Sequence, residues 1–237
     1  MVSSHDFIHN ATQCIAAIER EESAKIRQVA EVCAQSILAG GIMHVFGSGH
    51  STLPAREIAI RAGSLSCVQA IALEEIIGKF ERIEGVAETL LKDYDLRAGE
   101  VIIIFSNGGI NALPIEMATL ARGKGLFTVG VTSMEQSSRS KSRHSSGKRL
   151  YEVVDAAIDT HVPFGDASIE VAGTPMKIGP LSTIGAVTVA DAIVVDIVGQ
   201  IVARGGSPPV RISRNIPGGD EHNRQFKLKY GDRIRGL

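Results

Sequence analysis

Tryptophan is absent from this sequence, and aromatic residues together make up only 4% of it. So few rings argue against a surface that holds nucleic acid by base stacking. Neither sign of charge dominates: 25 basic residues stand against 26 acidic ones, for a net charge of −1. No global field draws the chain to nucleic acid or to an anionic membrane. Cys14, Cys33 and Cys67 are too few and too far apart for a disulfide framework or a zinc knuckle. The first ten residues lack the basic-then-apolar build of a signal peptide, and the longest apolar run, 184–203, is interrupted by Asp191 and Asp196. These absences predict a cytoplasmic protein of a reducing compartment, without nucleic-acid or membrane partners. Apolar residues, at 44%, suffice for a large core. The 237 residues read as one domain, with an N-terminal helix over 4–39, a core over 42–205 and a C-terminal extension over 206–237.

Apolar residues recur at helical spacing at Ile8, Ile15, Ile18, Ile26, Val29, Cys33 and Ile37, until Gly40 and Gly41 stop the helix. A short apolar run over 42–46 then leads into Gly47-Ser48-Gly49-His50-Ser51 and a helix with Pro54 in its first turn. The arrangement returns later in the chain. Residues 101–105 are nearly all β-branched, as in a strand covered on both faces. Ser106-Asn107-Gly108-Gly109-Ile110-Asn111 follow, then a helix with Pro114 in its first turn. The two units match from Phe46 to Pro54 and from Phe105 to Pro114, with one residue inserted, and their helices carry Glu57 and Glu116. Further strands are expected over 126–131 and 156–161, a loop over 174–180, and a long apolar helix that Ser182 and Thr183 can cap. Residues 137–149, rich in serine and basic side chains, read as a solvated loop or as one that closes over an anion. Alternating strands and helices imply an α/β fold, a three-layer αβα sandwich around a mostly parallel sheet.

A strand that turns through small residues into a helix presents free backbone N–H groups at the positive end of the helix dipole. Glycine permits close approach and serine adds hydroxyl donors, so such a loop holds phosphate without Lys or Arg. Ser48, Gly49 and Ser51 in the first loop, and Ser106, Asn107, Gly108 and Asn111 in the second, suit that chemistry. Thr52 stands where the dinucleotide fingerprint needs its third glycine, and neither loop carries the Gly-Lys-Ser/Thr of a P-loop. NAD and ATP are disfavoured.

The chain resembles the sugar isomerase (SIS) domain family over roughly residues 5–225. The likeness rests on the long first helix, the loop from Gly47 to Ser51, the loop opened by Ser106, Gly179-Pro180-Leu181-Ser182-Thr183 before the last long helix, and the tail run Gly218-Gly219-Asp220-Glu221-His222-Asn223. The resemblance implies a flavodoxin-like sheet, a homodimer and a phosphorylated sugar held at the carboxyl edge. It implies phosphate ligands at Ser51, Ser106, Asn107 and Asn111, with Ser182 and Thr183 joining from the last helix. The family's usual serine is replaced here by Gly108, and Arg61 stands where some relatives carry a glutamate. Aldose–ketose isomerisation needs a base and a carrier for the hydroxyl protons. Glu75 is the preferred base, Glu74 its alternate, and His222 the preferred proton carrier; the Glu pair also reads as a helix cap and His222 as a surface residue. His50, His161 and His144 are weaker candidates. Neither a metal nor another cofactor is expected. The activities implied are a sugar-phosphate isomerase of the phosphoheptose isomerase type, an amino-sugar-phosphate etherase or lyase, or a non-catalytic phosphosugar sensor. The first helix starts within ten residues of Met1, which argues against the DNA-binding domain such sensors usually carry.

Overall fold

A computed structural model describes residues 2–71 and 79–235. Helix α1 (Ser4–Leu38) begins in a capping box in which Ser3 and Asp6 satisfy each other's backbone N–H. It ends where Gly40, at φ +89°, lets the Gly41 N–H reach back to the Ser36 carbonyl. The strands β1 (Met43–Gly47), β2 (Val68–Ile71), β3 (Val101–Phe105), β4 (Phe127–Thr132) and β5 (Ala156–Asp159) form one parallel sheet in the order β2-β1-β3-β4-β5. The connecting helices are α2 (Thr52–Ile60), α3 (Val86–Leu91), α4 (Ala112–Gly123) and α5 (Met134–Arg139). The chain continues through a hairpin of β6 (Ala167–Glu170) and β7 (Lys177–Pro180), then α6 (Ser182–Ala203) and α7 (Gly219–Tyr230).

Strand β3 shows why the sheet lies in the middle. Val101, Ile103 and Phe105 point into a core shared with α1, α2 and α6. Ile102 and Ile104 point the other way, against α4 and Leu91 of α3. All five are buried, and each such side chain contributes about 1.5–3 kcal/mol by leaving water. Helices on both faces make the expected three layers.

The expectations fail where distant contacts override local pattern. Ile8 and Ile15 of α1 are exposed, because α1 extends past the sheet edge at that end. The expected strand over 156–161 stops at Asp159, since His161 adopts φ +52° and turns the chain. The expected loop over 174–180 contains β7, and the tail run from Gly219 forms the first turns of α7.

Candidate functional site

A parallel sheet of this order reverses its winding direction between β1 and β3, and the loops leaving those strands open a crevice at the carboxyl edge. Both serine/glycine loops lie there. In the first, a Cβ at Gly47 would run into the Ser51 carbonyl, so only glycine permits the turn. The Ser51 N–H donates to the Ser48 carbonyl (3.1 Å), and the Thr52 hydroxyl donates to the Gly49 carbonyl (2.8 Å). Glycine's left-handed conformation recurs at Gly109 in the second loop (φ +59°), where the N–H donates to Ser106 Oγ (3.2 Å). The Asn107 carbonyl accepts from Ser133 N–H and from the Thr132 hydroxyl, tying this loop to β4.

The loops converge with the start of α6 on one small cleft. Ser51, Ser106, Asn107, Ser182 and Thr183 line it, together with His50 and Thr160. Its enclosed space is only about 10 Å³, so the polar groups are spaced around one oxyanion rather than around a whole sugar. Ser51 is buried, and its hydroxyl has no hydrogen-bond partner among the described residues; the Thr183 hydroxyl likewise has none. Thr160 Oγ1 is buried and unpartnered as well, as is Asn107 Oδ1. Buried polar groups normally find partners. A concentration of idle ones in a single cleft marks a place built for a polar ligand.

Other groups predicted for this site have commitments of their own. Ser182 donates both its N–H (2.7 Å) and its hydroxyl (2.8 Å) to Asp166, which also accepts from Leu181 N–H (3.0 Å). Asp166, at φ +69°, thus caps α6 from outside the helix, the role that sequence spacing suggested for Ser182 and Thr183. Ser48 donates to the Glu81 carboxylate (3.1 Å), and Asn111 Oδ1 accepts from Arg143 (2.8 Å). Gly49 and Gly108 shape the loops without lining the cleft.

The basic segment 137–149 is neither free nor merely solvated. Arg143 N–H donates to the Ile110 carbonyl (2.8 Å), and the Ser145 N–H and hydroxyl both donate to Glu84. Those two bonds, the N–H first, hold Glu84 below the usual carboxylate range. His144 Nε2 faces Glu116 at 3.8 Å and Glu84 at 3.9 Å. These three side chains are the one group among the described residues with metal-ligand spacing. The Ser146 N–H donates to His144 Nδ1 (3.2 Å), leaving the neutral ring's proton on Nε2, so the trio serves as a latch for the segment.

The proposed catalytic residues are placed differently. Glu75 and its alternate Glu74 lie outside the described residues. His222 sits on α7 and shares a hydrogen bond with the Val210 carbonyl (2.9 Å) while meeting the Phe226 ring edge-on. Val210 bridges to Leu65, just ahead of β2, so His222 serves the amino edge of the sheet, opposite the cleft of its own chain. Burial and Asn223's two bonds to Ile212 complete that anchor. Arg61 pairs with Glu57 on the surface. His161 lies beyond β5 with Glu21, Glu22 and Asp159 at 3.7–3.9 Å, in a separate depression. Sequence reasoning missed Glu81, Arg143 and Asp166. Only Asp166 carried a signal, its place beside Gly165 after a strand.

The family model described as the SIS domain matches residues 6–133, more than half of the chain and both serine/glycine loops. The chain belongs to the SIS domain family. A UPF0309 protein of Caldanaerobacter subterraneus is 37% identical to this SIS protein over 98% of each chain, and one of Halalkalibacterium halodurans is 34% identical over 96% and 94%. Among solved structures, a phosphoheptose isomerase from Neisseria gonorrhoeae superposes with a TM-score of 0.57 at 16% identity, covering 81% of this chain and 95% of its own. An E. coli CFT073 protein, c3406, solved in complex with a phosphosugar, gives 0.51 at 18% identity, covering 84% and 89%. At such identities the structural likeness shows the fold of this SIS domain, and the site rests on its own geometry.

Proposed function

We propose that this SIS domain binds a phosphorylated sugar, with the phosphate in the cleft and the sugar over the crevice beyond it. The observation that carries the reading is the convergence of idle, buried donors from both loops on one oxyanion-sized space at the carboxyl edge. Ser51, Ser106, Asn107 and Thr183 serve as phosphate ligands, joined by loop N–H groups and by Ser182 once it turns from Asp166. Ser48, Gly49, Gly108 and Asn111 frame the loops. Apart from His50, ionisable side chains are absent from the described lining, so hydroxyl and N–H donors carry the anion. The c3406 protein was solved with a phosphosugar and a Vibrio vulnificus NanR protein with ManNAc-6P, which fits this ligand class.

The reaction proposed is aldose–ketose isomerisation, with Glu75 as the base. Glu81 is the described carboxylate that reaches a phosphate loop, and its carbonyl also accepts from Leu113 N–H at the start of α4. It is the alternate base in place of Glu74. An enediol route exchanges the carbon-bound proton with solvent. The best-binding sugar phosphate, incubated in heavy water, should therefore gain deuterium beside the carbonyl. Glu75→Gln should stop the exchange and preserve binding. If exchange survives Glu75→Gln and stops in Glu81→Gln, the base is Glu81. A second reading, a sensor without turnover, draws on the absence of a carboxylate from the described cleft lining. Tight binding with no exchange in the parent protein selects it. The exposed apolar side chains Ile8, Ile15, Val195 and Val202 on the adjacent helices α1 and α6 support a homodimer, and the three buried free thiols support a cytoplasmic location.

A further inference from the structure

The run from Gly218 to Asn223 stands out in the sequence, yet it lies away from the cleft. What it does is hold a second concavity together. Asn223 Oδ1 accepts from Ile212 N–H (3.1 Å), and its Nδ2 donates to the Ile212 carbonyl (2.9 Å). On the other side of the same segment, Arg211 exchanges backbone hydrogen bonds with Ser64 and Gly63, both 2.8 Å. Segment 210–212 is thereby clipped between the chain ahead of β2 and helix α7. The clip brings Arg211 and Arg214 to the face of α7 that presents Asp220, Arg224 and Lys227, residues one helical turn apart.

Together these side chains line a cavity of about 730 Å³, closed at one end by Ile60 and Ala62 beyond α2. Four cations face one carboxylate. Arg214 reaches Asp220 at 3.5 Å, both largely exposed, an ion pair that is worth little. Arg211, Arg224 and Lys227 have no carboxylate partner among the described residues. Arg211 is partly buried, and that burial, with Arg214 beside it, lowers its guanidinium pKa. Uncompensated cations gathered in a concavity repel one another and keep the fold only at a cost, which an anion removes.

We propose that this cavity is a second anion site, separate from the cleft, that takes a small phosphorylated metabolite carrying at least two negative charges. Two guanidinium forks suit the paired oxygens of phosphate, and Lys227 supplies a further point charge. The volume is that of a small-molecule pocket. The lining holds no aromatic ring on which a base would stack, which favours a metabolite over a nucleic acid. Helix α2 spans the protein between the two sites, with Ser51 before its first residue and Ile60 as its last.

Inorganic pyrophosphate is a suitable probe, titrated calorimetrically into the full chain at low salt. The expected result is saturable binding that Arg224→Ala weakens about 10-fold, one charge-assisted contact, and that Arg211→Ala with Arg224→Ala removes. Arg211→Lys, which keeps the charge and loses the fork, should fall between. Ser51→Ala, which touches only the cleft, should leave this binding intact. Thermal melts of Arg224→Ala should match the parent, because the side chain is exposed. Equal pyrophosphate binding by the parent and both arginine variants overturns the proposal. So does loss of binding in Ser51→Ala, which would put the probe in the cleft. Tighter, arginine-dependent binding of a single-stranded oligonucleotide overturns the choice of a small ligand.

Discussion

Acid should unfold this protein partly through one residue, Glu100. Its carboxylate is 3% exposed at the amino edge of the sheet, just ahead of β3. It accepts from His44 Nε2 (2.9 Å), Ile42 N–H (3.0 Å), Arg97 N–H (3.1 Å) and both terminal nitrogens of Arg233 (2.6 and 3.1 Å). Burial alone would raise its pKa, but these bonds outweigh it and hold the group at about 2, against 4.5 for a free glutamate. A depressed folded-state pKa means stability that is complete above pH 4.5 and lost as pH falls from there toward 2. Each pKa unit corresponds to about 1.4 kcal/mol, so the loss is about 3 kcal/mol, a large part of the roughly 5–15 kcal/mol of a typical domain. Glu100→Gln should cost about 3–5 kcal/mol at pH 7, because it leaves His44 and Arg233 without their counter-charge. Urea unfolding followed between pH 7 and 2 supplies the assay. The variant should have a flatter acid limb than the parent by about 3 kcal/mol. Parallel pH profiles for the two proteins would refute the reasoning, since another carboxylate would then carry the acid sensitivity.

Asp166→Ala should destabilise the protein by about 0.5–2 kcal/mol through loss of the α6 cap, measurable as a lower urea midpoint with an unchanged slope. The same substitution frees the Ser182 hydroxyl, so phosphosugar affinity should be retained or rise; a tenfold loss would show Asp166 itself to be a ligand. Light scattering at micromolar concentration should report a dimer, and Val195→Glu, at a side chain 67% exposed in the single chain, should yield monomers. A monomeric parent would remove the shared-interface reading of α1 and α6.

The parts of this fold that were legible are those governed by near neighbours. The β-branched run 101–105 announced a central strand, and Gly40 announced the end of α1 through a conformation that only local sequence must satisfy. Both serine/glycine loops were visible because a tight strand-to-helix turn demands small residues within a few positions. What escaped was set by long-range partners. Asp166 caps a helix that starts 16 residues later, and Arg143 reaches Asn111 across 32 positions. Helix α7 was hidden because its face is largely polar and its buried anchors, Phe226 and Tyr230, are few. His222 looked like a proton carrier beside acidic and amide groups, and only the bridge between Val210 and Leu65 reveals which edge of the sheet it serves.

The central claim is that the paired loops hold the phosphate of a sugar phosphate, and calorimetric titration of glucose 6-phosphate and glucose into the parent, Ser51→Ala and Ser106→Ala proteins tests it most directly. Charge-assisted hydrogen bonds are worth roughly 1.5–3 kcal/mol each, so either variant should bind the phosphate ester about 10- to 100-fold more weakly with an unchanged melting temperature. Free glucose should not bind in this range. Equal affinity for glucose and glucose 6-phosphate, or unaltered binding of the ester by both variants, would contradict the account and leave the loops as structural turns.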